Sequence, residues 1–193
     1  MSLPEILILD RDGVLFRHVE PYILFAHDVT VSPGAEQTVR TALELGVAVA
    51  VVTNQSPIGR GLTSWEFVHE VNARIHAWAP EGIEHRLRCY VCPHLPDDKC
   101  DCRKPLPGLL LQGAHDAGVD IGSAWMVGDH DTDMTAARAA GCGLAMHMTT
   151  GRQAEPSKIA DICIDDLHTL IRLLRDEGGI QSTKSANELR RRL

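Results

Sequence analysis

The chain has 193 residues, a length that suits one domain and at most two small ones. Its 19 lysines and arginines against 26 aspartates and glutamates leave a formal charge of −7, which argues against a nucleic-acid binder or a protein that docks on anionic membranes. A 44% hydrophobic fraction with 23% charged residues describes a soluble globular chain, and no run reaches the roughly 18 apolar residues of a membrane span. The start, Met1-Ser2-Leu3-Pro4-Glu5, lacks a basic stretch followed by an apolar one, so a cytoplasmic protein without a secretory signal is expected. In a reducing compartment the six cysteines do not form a disulfide framework. Cys142 and Cys163, each alone in apolar surroundings, read as small buried hydrophobes.

Ile6-Leu7-Ile8-Leu9 is a continuous apolar run of the kind a strand covered on both faces requires. It leads into Asp10-Arg11-Asp12-Gly13-Val14. Asp-Gly is a common turn pair, but two carboxylates at i and i+2 after a buried strand can also act as nucleophile and general acid–base. Pro33-Gly34 opens a helix with apolar positions at Val39, Ala42, Leu43 and Leu45, closed by Gly46. Val47 to Val52 predicts a second strand, ending in Thr53-Asn54-Gln55-Ser56. Those hydroxyls and amides either stop the strand or receive a phosphate. Thr63 to Trp78 predicts a helix capped by Thr63 or Ser64, and Leu87 to Val91 a third strand.

After the third strand come Cys92-Pro93-His94 and Cys100-Asp101-Cys102, with five residues between His94 and Cys100. Three thiolates and an imidazole suit a closed tetrahedral zinc site. Cys89 is the alternative fourth ligand, though it falls inside the predicted strand. Arg103-Lys104-Pro105 follow at once, so these cations are fixed by the loop and suit an oxyanion. Pro107 to Ala117 predicts a helix and Ala124 to Val127 a fourth strand, ending in Gly128-Asp129-His130-Asp131-Thr132-Asp133. Three acids in five residues suggest a hard divalent cation, most simply Mg²⁺, with Asp129 the first choice of ligand. Asp131 or Thr132 then caps a helix from Thr132 to Ala140, and Asp133 is placed to orient the loop or Lys104. Leu144 to Met148 and Ile162 to Ile164 predict short strands and Leu167 to Arg175 a last helix. Residues 1–177 make one domain, and the polar 178–193 a flexible tail.

Strand–helix alternation implies right-handed crossovers, a parallel sheet and helices on both faces, with ligands bound off the carboxyl ends of the strands. The chemistry-bearing residues fall there. Together they supply a nucleophilic carboxylate, an acid–base carboxylate, a hydroxyl, a lysine and a metal carboxylate, the set that phosphoryl transfer needs. A non-catalytic zinc-bearing interaction domain is the competing explanation, and it requires an independent capping role at each of four strand ends.

Asp10-x-Asp12-Gly13-Val14, Thr53-Asn54, Lys104 and Gly128-Asp129-x-x-x-Asp133 resemble, in order, the four motifs of the haloacid dehalogenase superfamily. The segment Cys92 to Pro105 is similar to the zinc loop of its small capless branch, which acts on heptose bisphosphate or histidinol phosphate. The resemblance implies an α/β, Rossmann-like three-layer sandwich with no cap domain. The intervals agree, since 18 residues between Val14 and Pro33 and 26 between Arg60 and Leu87 hold no separate lid.

It further implies a monomeric Mg²⁺-dependent phosphomonoester hydrolase acting through an aspartyl-phosphate on a small phosphorylated substrate, most simply a sugar bisphosphate. Asp10 would be the nucleophile, Asp12 the acid–base, and Thr53 and Lys104 stabilisers of the phosphoryl group. Asp10, Asp129 and the Asp12 carbonyl would hold Mg²⁺, and Cys92, His94, Cys100 and Cys102 a structural zinc. Asn54, Gln55, Ser56, Arg60 and Arg103 would bind substrate. Gln55 to Gly61 is similar to the heptose branch. In it Pro57 replaces a glycine, fixing φ in what reads as a loop. The His94–Cys100 spacing is closer to the histidinol-phosphate branch, and residues 16–31 match neither.

Overall fold

The structure, a computed structural model, describes residues 2–176. Six parallel strands form one sheet: β1 (Ile6–Asp10), β2 (Ala48–Asn54), β3 (Leu87–Cys92), β4 (Ala124–Gly128), β5 (Leu144–Met148) and β6 (Ile162–Ile164), in the order β3-β2-β1-β4-β5-β6. Period-two alternation divides β1 between two cores. Leu7 and Leu9 pack with Val39 and Leu43 of α1 (Ala35–Glu44), with Val71 and Ile75 of α3 (Trp65–His76), and with Leu170 and Leu174 of a helix over residues 167–176 (α6). Ile6 and Ile8 pack with Leu109 and Leu110 of α4 (Gly108–Ala117) and with Met134 and Ala137 of α5 (Asp131–Ala140). The result is the expected three-layer α/β sandwich.

The strand order reverses between β1 and β4, so their carboxyl ends splay apart and leave a crevice beside Asp10 and Asp129. That switch point positions everything that follows.

Four local expectations are corrected. β2 continues to Asn54, because Thr53 and Asn54 find ladder partners in Val91 and Cys92 of β3. Residues 56–59 form a one-turn helix, α2 (Ser56–Gly59), and Pro57 lies in its first turn, where a fixed φ and a missing N–H fit. The cap of α5 is His130, whose ring accepts from the Thr132 N–H while Asp133 accepts from the His130 N–H. Cys142 is buried as expected, but Cys163 is exposed, at the middle of the edge strand β6. The tail expected over 178–193 lies outside the described residues.

Candidate active site

β1 ends on Asp10 in the crevice, and the chain turns at once. Gly13 makes the turn with φ +96°, and a Cβ there would lie 1.7 Å from Oδ2 of Asp129. Only glycine satisfies both demands. Gly128 at the end of β4 meets the second demand alone, since a Cβ there would lie 2.2 Å from Cβ of Asp133. The two strand ends can therefore bring their carboxylates together.

Lys104 is fixed between them. Its Nζ lies 2.8 Å from Oδ1 of Asp10 and 2.7 Å from Oδ1 of Asp133, and it donates to the Val52 carbonyl at 3.0 Å. Its backbone is clamped by Asn54, which donates to the Lys104 carbonyl at 2.9 Å and accepts from the Lys104 N–H at 3.0 Å. Burial works against the ammonium, but Asp10 and Asp133 outweigh it and hold the lysine charged, well above its ordinary range.

Three carboxylates, from Asp10, Asp129 and Asp133, present oxygens within 4.8 Å of one another. Burial pushes Asp10 well above the usual carboxylate range; Lys104 opposes this, while Asp133 and Asp129 add to it. Burial and then Asp133 push Asp129 up to about 6. Carboxylates driven up by burial and each other's charge are what a hard divalent cation relieves, so the donor set fits Mg²⁺. Asp133 already pairs with Lys104 and accepts from the His130 N–H at 3.2 Å, which gives it the organising place foreseen for it. Asp10 shares the lysine with it, and Asp129 completes the three-carboxylate group.

Asp12 stands beside this group. Burial acts to raise its proton affinity, but the Arg11 guanidinium and the Gln55 amide outweigh that and hold it below the usual range. Gln55 donates to Oδ2 of Asp12 at 2.7 Å and to Oγ1 of Thr53 at 2.8 Å. The amides of Asn54 and Gln55 thus serve neighbouring site residues, a use their sequence position does not reveal.

Above these groups opens a cavity of about 340 Å³. Asp10, Asp12, Thr53, Asn54, Gln55, Ser56, Arg60, Arg103 and Lys104 all line it, with Asp129 and Asp133. Arg60 is exposed, and Arg103 donates to the His94 carbonyl at 3.3 Å. The sequence reading missed His18, Glu20 and Arg152. Arg152 follows β5, and its N–H donates to Oδ2 of Asp129 at 2.6 Å. Its place just beyond a strand's carboxyl end was the available signal.

Cys92, His94, Cys100 and Cys102 converge with all ligand atoms within 4.8 Å of one another. Cys92 Sγ lies 3.7 Å from Cys100 Sγ and 3.5 Å from Nδ1 of His94, which is 3.2 Å from Cys102 Sγ. A tetrahedral zinc with thiolates at ~2.3 Å and an imidazole at ~2.0 Å has edges of about 3.8 Å between sulfurs and about 3.5 Å from sulfur to nitrogen. The cluster fits. Cys89 stays apart in β3, with burial pushing its thiol up to about 12.

Residues 3–141 match the family described as haloacid dehalogenase-like hydrolase. A D-glycero-beta-D-manno-heptose-1,7-bisphosphate 7-phosphatase of Pseudomonas aeruginosa is 42% identical over 139 residues, 72% of this chain and 78% of the relative. The protein of that name from Yersinia pestis is 35% identical over 185 residues, 90% of this chain and 96% of its own length. The crystal structure of D,D-heptose 1,7-bisphosphate phosphatase from B. bronchiseptica, complexed with magnesium and phosphate, superposes with a TM-score of 0.79 at 29% identity, covering 92% of this chain and 99% of the other.

Proposed function

Given that the chain belongs to the haloacid dehalogenase-like hydrolase family, we propose that this phosphatase removes the C7 phosphate of D-glycero-D-manno-heptose 1,7-bisphosphate. The observation that carries the reading is Lys104 held between Asp10 and Asp133 at the floor of a cavity that Arg60, Arg103 and Arg152 also line. That arrangement suits a phosphoryl group in line with Asp10.

A carboxylate oxygen of Asp10 attacks phosphorus, and the bond from phosphorus to the C7 oxygen breaks. Asp12 gives its proton to that departing oxygen. The dianionic ester next to Asp12 favours the protonated carboxyl, so substrate binding itself prepares the acid. As a carboxylate again, the form that Arg11 and Gln55 favour, Asp12 takes a proton from water. The water oxygen attacks phosphorus, which releases inorganic phosphate and restores Asp10. Thr53 Oγ1 and Lys104 balance the charge on the equatorial oxygens throughout. Asp10, Asp129 and the Asp12 carbonyl would hold Mg²⁺, which would supply further positive charge there.

Arg60, Arg103 and Arg152 line the same cavity and suit a second phosphate, with Ser56 at its wall. The tetrahedral cluster suits a structural zinc that fixes the Arg103-Lys104 segment. Histidinol phosphate is the competing substrate, favoured by the His94–Cys100 spacing; the relatives named above favour the heptose.

The test is Mg²⁺-dependent phosphate release from heptose 1,7-bisphosphate and from histidinol phosphate at equal concentration. A kcat/KM of about 10⁵ M⁻¹s⁻¹ or more for the first alone, abolished by Asp10→Asn in folded protein, is the expected result. Turnover of histidinol phosphate alone would overturn the substrate. Full activity in Asp10→Asn would overturn the mechanism.

A further inference from the structure

Arg11 stands between the two aspartates of the first motif, continues the face of Leu7 and Leu9, and is 1% exposed. Taking a guanidinium out of water is costly unless its donors are matched, and these donors are aimed. Nε donates to Oδ1 of Asp12 at 2.8 Å and Nη2 to Oδ2 at 2.9 Å, a parallel two-pronged pairing. Nη1 donates to Oδ1 of Asn72 at 3.2 Å. Asn72 sits among Val68, Val71 and Ile75 on the buried face of α3, a polar residue in an otherwise apolar stripe. From the other side Gln55 donates to the same carboxylate at 2.7 Å. Asp12 is thus gripped by three donors while about a quarter of its side chain remains open to the cavity.

We propose that Arg11, braced by Asn72, is a positioning residue for the reaction: it sets the plane of the Asp12 carboxylate against the leaving oxygen and the attacking water without touching substrate. A guanidinium fork fixes both oxygens of a carboxylate, whereas an ammonium fixes a point, so shape as well as charge is required. The inference rests on the reading of Asp12 as the acid–base group.

Leaving-group dependence tests it. An alkyl ester needs a proton on its departing oxygen and a nitrophenyl ester does not, so a misplaced acid slows only the first. With Mg²⁺, Arg11→Lys is expected to lower kcat for the heptose ester by roughly tenfold to a hundredfold at unchanged KM. Its pre-steady-state release of nitrophenol from p-nitrophenyl phosphate is expected to stay at the wild-type rate. Asn72→Ala is expected to act in the same direction with a smaller effect, and it decides the question if Arg11→Lys does not fold. Asp12→Asn is the control. If it slows both esters equally, the reading of Asp12 fails. If it discriminates between them while Arg11→Lys and Asn72→Ala slow both equally or neither, the inference is overturned.

Discussion

Replacing Lys104 with methionine keeps the stem and removes the charge that holds the site together. The ammonium lies 2.8 Å and 2.7 Å from carboxylate oxygens of Asp10 and Asp133, and its side chain is 2% exposed. At an effective dielectric near 20 each contact is worth about 6 kcal/mol of gross attraction, most of it offset by the desolvation of the charges. Breaking such a buried pair from one side costs about 3–5 kcal/mol, because the remaining charge is stranded. Here two carboxylates are stranded next to a third, Asp129. In a chain of this size 1 kcal/mol corresponds to about 2–4 °C, so a fall in Tm of about 6–20 °C is expected in Mg²⁺-free buffer.

The deficit has a pH signature. Asp129 is pushed up to about 6 and Asp10 is raised well above the usual range even with the lysine present. Without it they hold protons more tightly still. A carboxyl whose folded pKa exceeds its unfolded value near 3.9 penalises the fold increasingly as pH rises from the unfolded value to the folded one, and in full above it. The Lys104→Met deficit should therefore be largest near pH 8 and shrink below pH 6. Excess Mg²⁺ should restore part of it by binding only the folded chain. Thermal unfolding at the two pH values, with and without Mg²⁺, reads this directly, and kcat/KM is expected to fall by about 10²–10³-fold. An equal Tm at every pH, or a deficit that neither acid nor Mg²⁺ relieves, would refute the charge argument.

Gly13→Ala is expected to lose at least about a hundredfold in kcat/KM, since its Cβ would fall 1.7 Å from the Asp129 carboxylate. Gly82→Ala, at φ +88° with nothing within 4 Å, should cost about 1–2 kcal/mol of stability and leave the kinetics unchanged. Equal kinetic losses would mean that backbone strain, not closeness to Asp129, is responsible. The purified chain should carry about one zinc, and Cys100→Ser should lower that content and Tm together, as elemental analysis and calorimetry would report. Undiminished zinc in the variant would exclude Cys100 as a ligand.

The strands were legible because most are short, largely apolar runs, the pattern that burial on both faces imposes, with Arg88 in β3 and His147 in β5 as interruptions. Ile6 to Leu9 and Leu144 to Met148 fall almost as the composition predicts. Chain reversals after those runs also made Asp10, Asp12 and Asp129 conspicuous. The end of β2 was less legible, because Thr53 and Asn54 look like strand breakers until β3 supplies ladder partners. The cap of α5 was missed for a similar reason. His130 accepts the Thr132 N–H through a ring nitrogen, a weaker sequence signal than the Asp131 or Thr132 beside it. Arg152 and Glu20 reach the cavity through loops with no periodicity, and only the tertiary fold brings them together at 4.0 Å. The sign of an unusual role for α3 was Asn72, a lone amide where the helical stripe called for a hydrophobe.

The position of Lys104 ties the cysteine cluster to the proposed phosphate site. Lys104 does not lie on a strand or helix, so no regular ladder fixes its backbone. Two constraints replace one. Upstream, Cys100 and Cys102 join Cys92 at the end of β3 and His94 just beyond it, and the loop is drawn against the sheet. At the lysine itself, Asn54 at the end of β2 holds the backbone through paired donor and acceptor contacts. A Cβ on Gly108 would lie 2.3 Å from the Asp101 carbonyl, so the start of α4 packs directly under the same loop. A long, flexible side chain is thereby delivered to a buried point between two acids. In a chain with a net charge of −7, Lys104 and the arginines Arg60, Arg103 and Arg152 are thus gathered at one crevice against the five acids that share it.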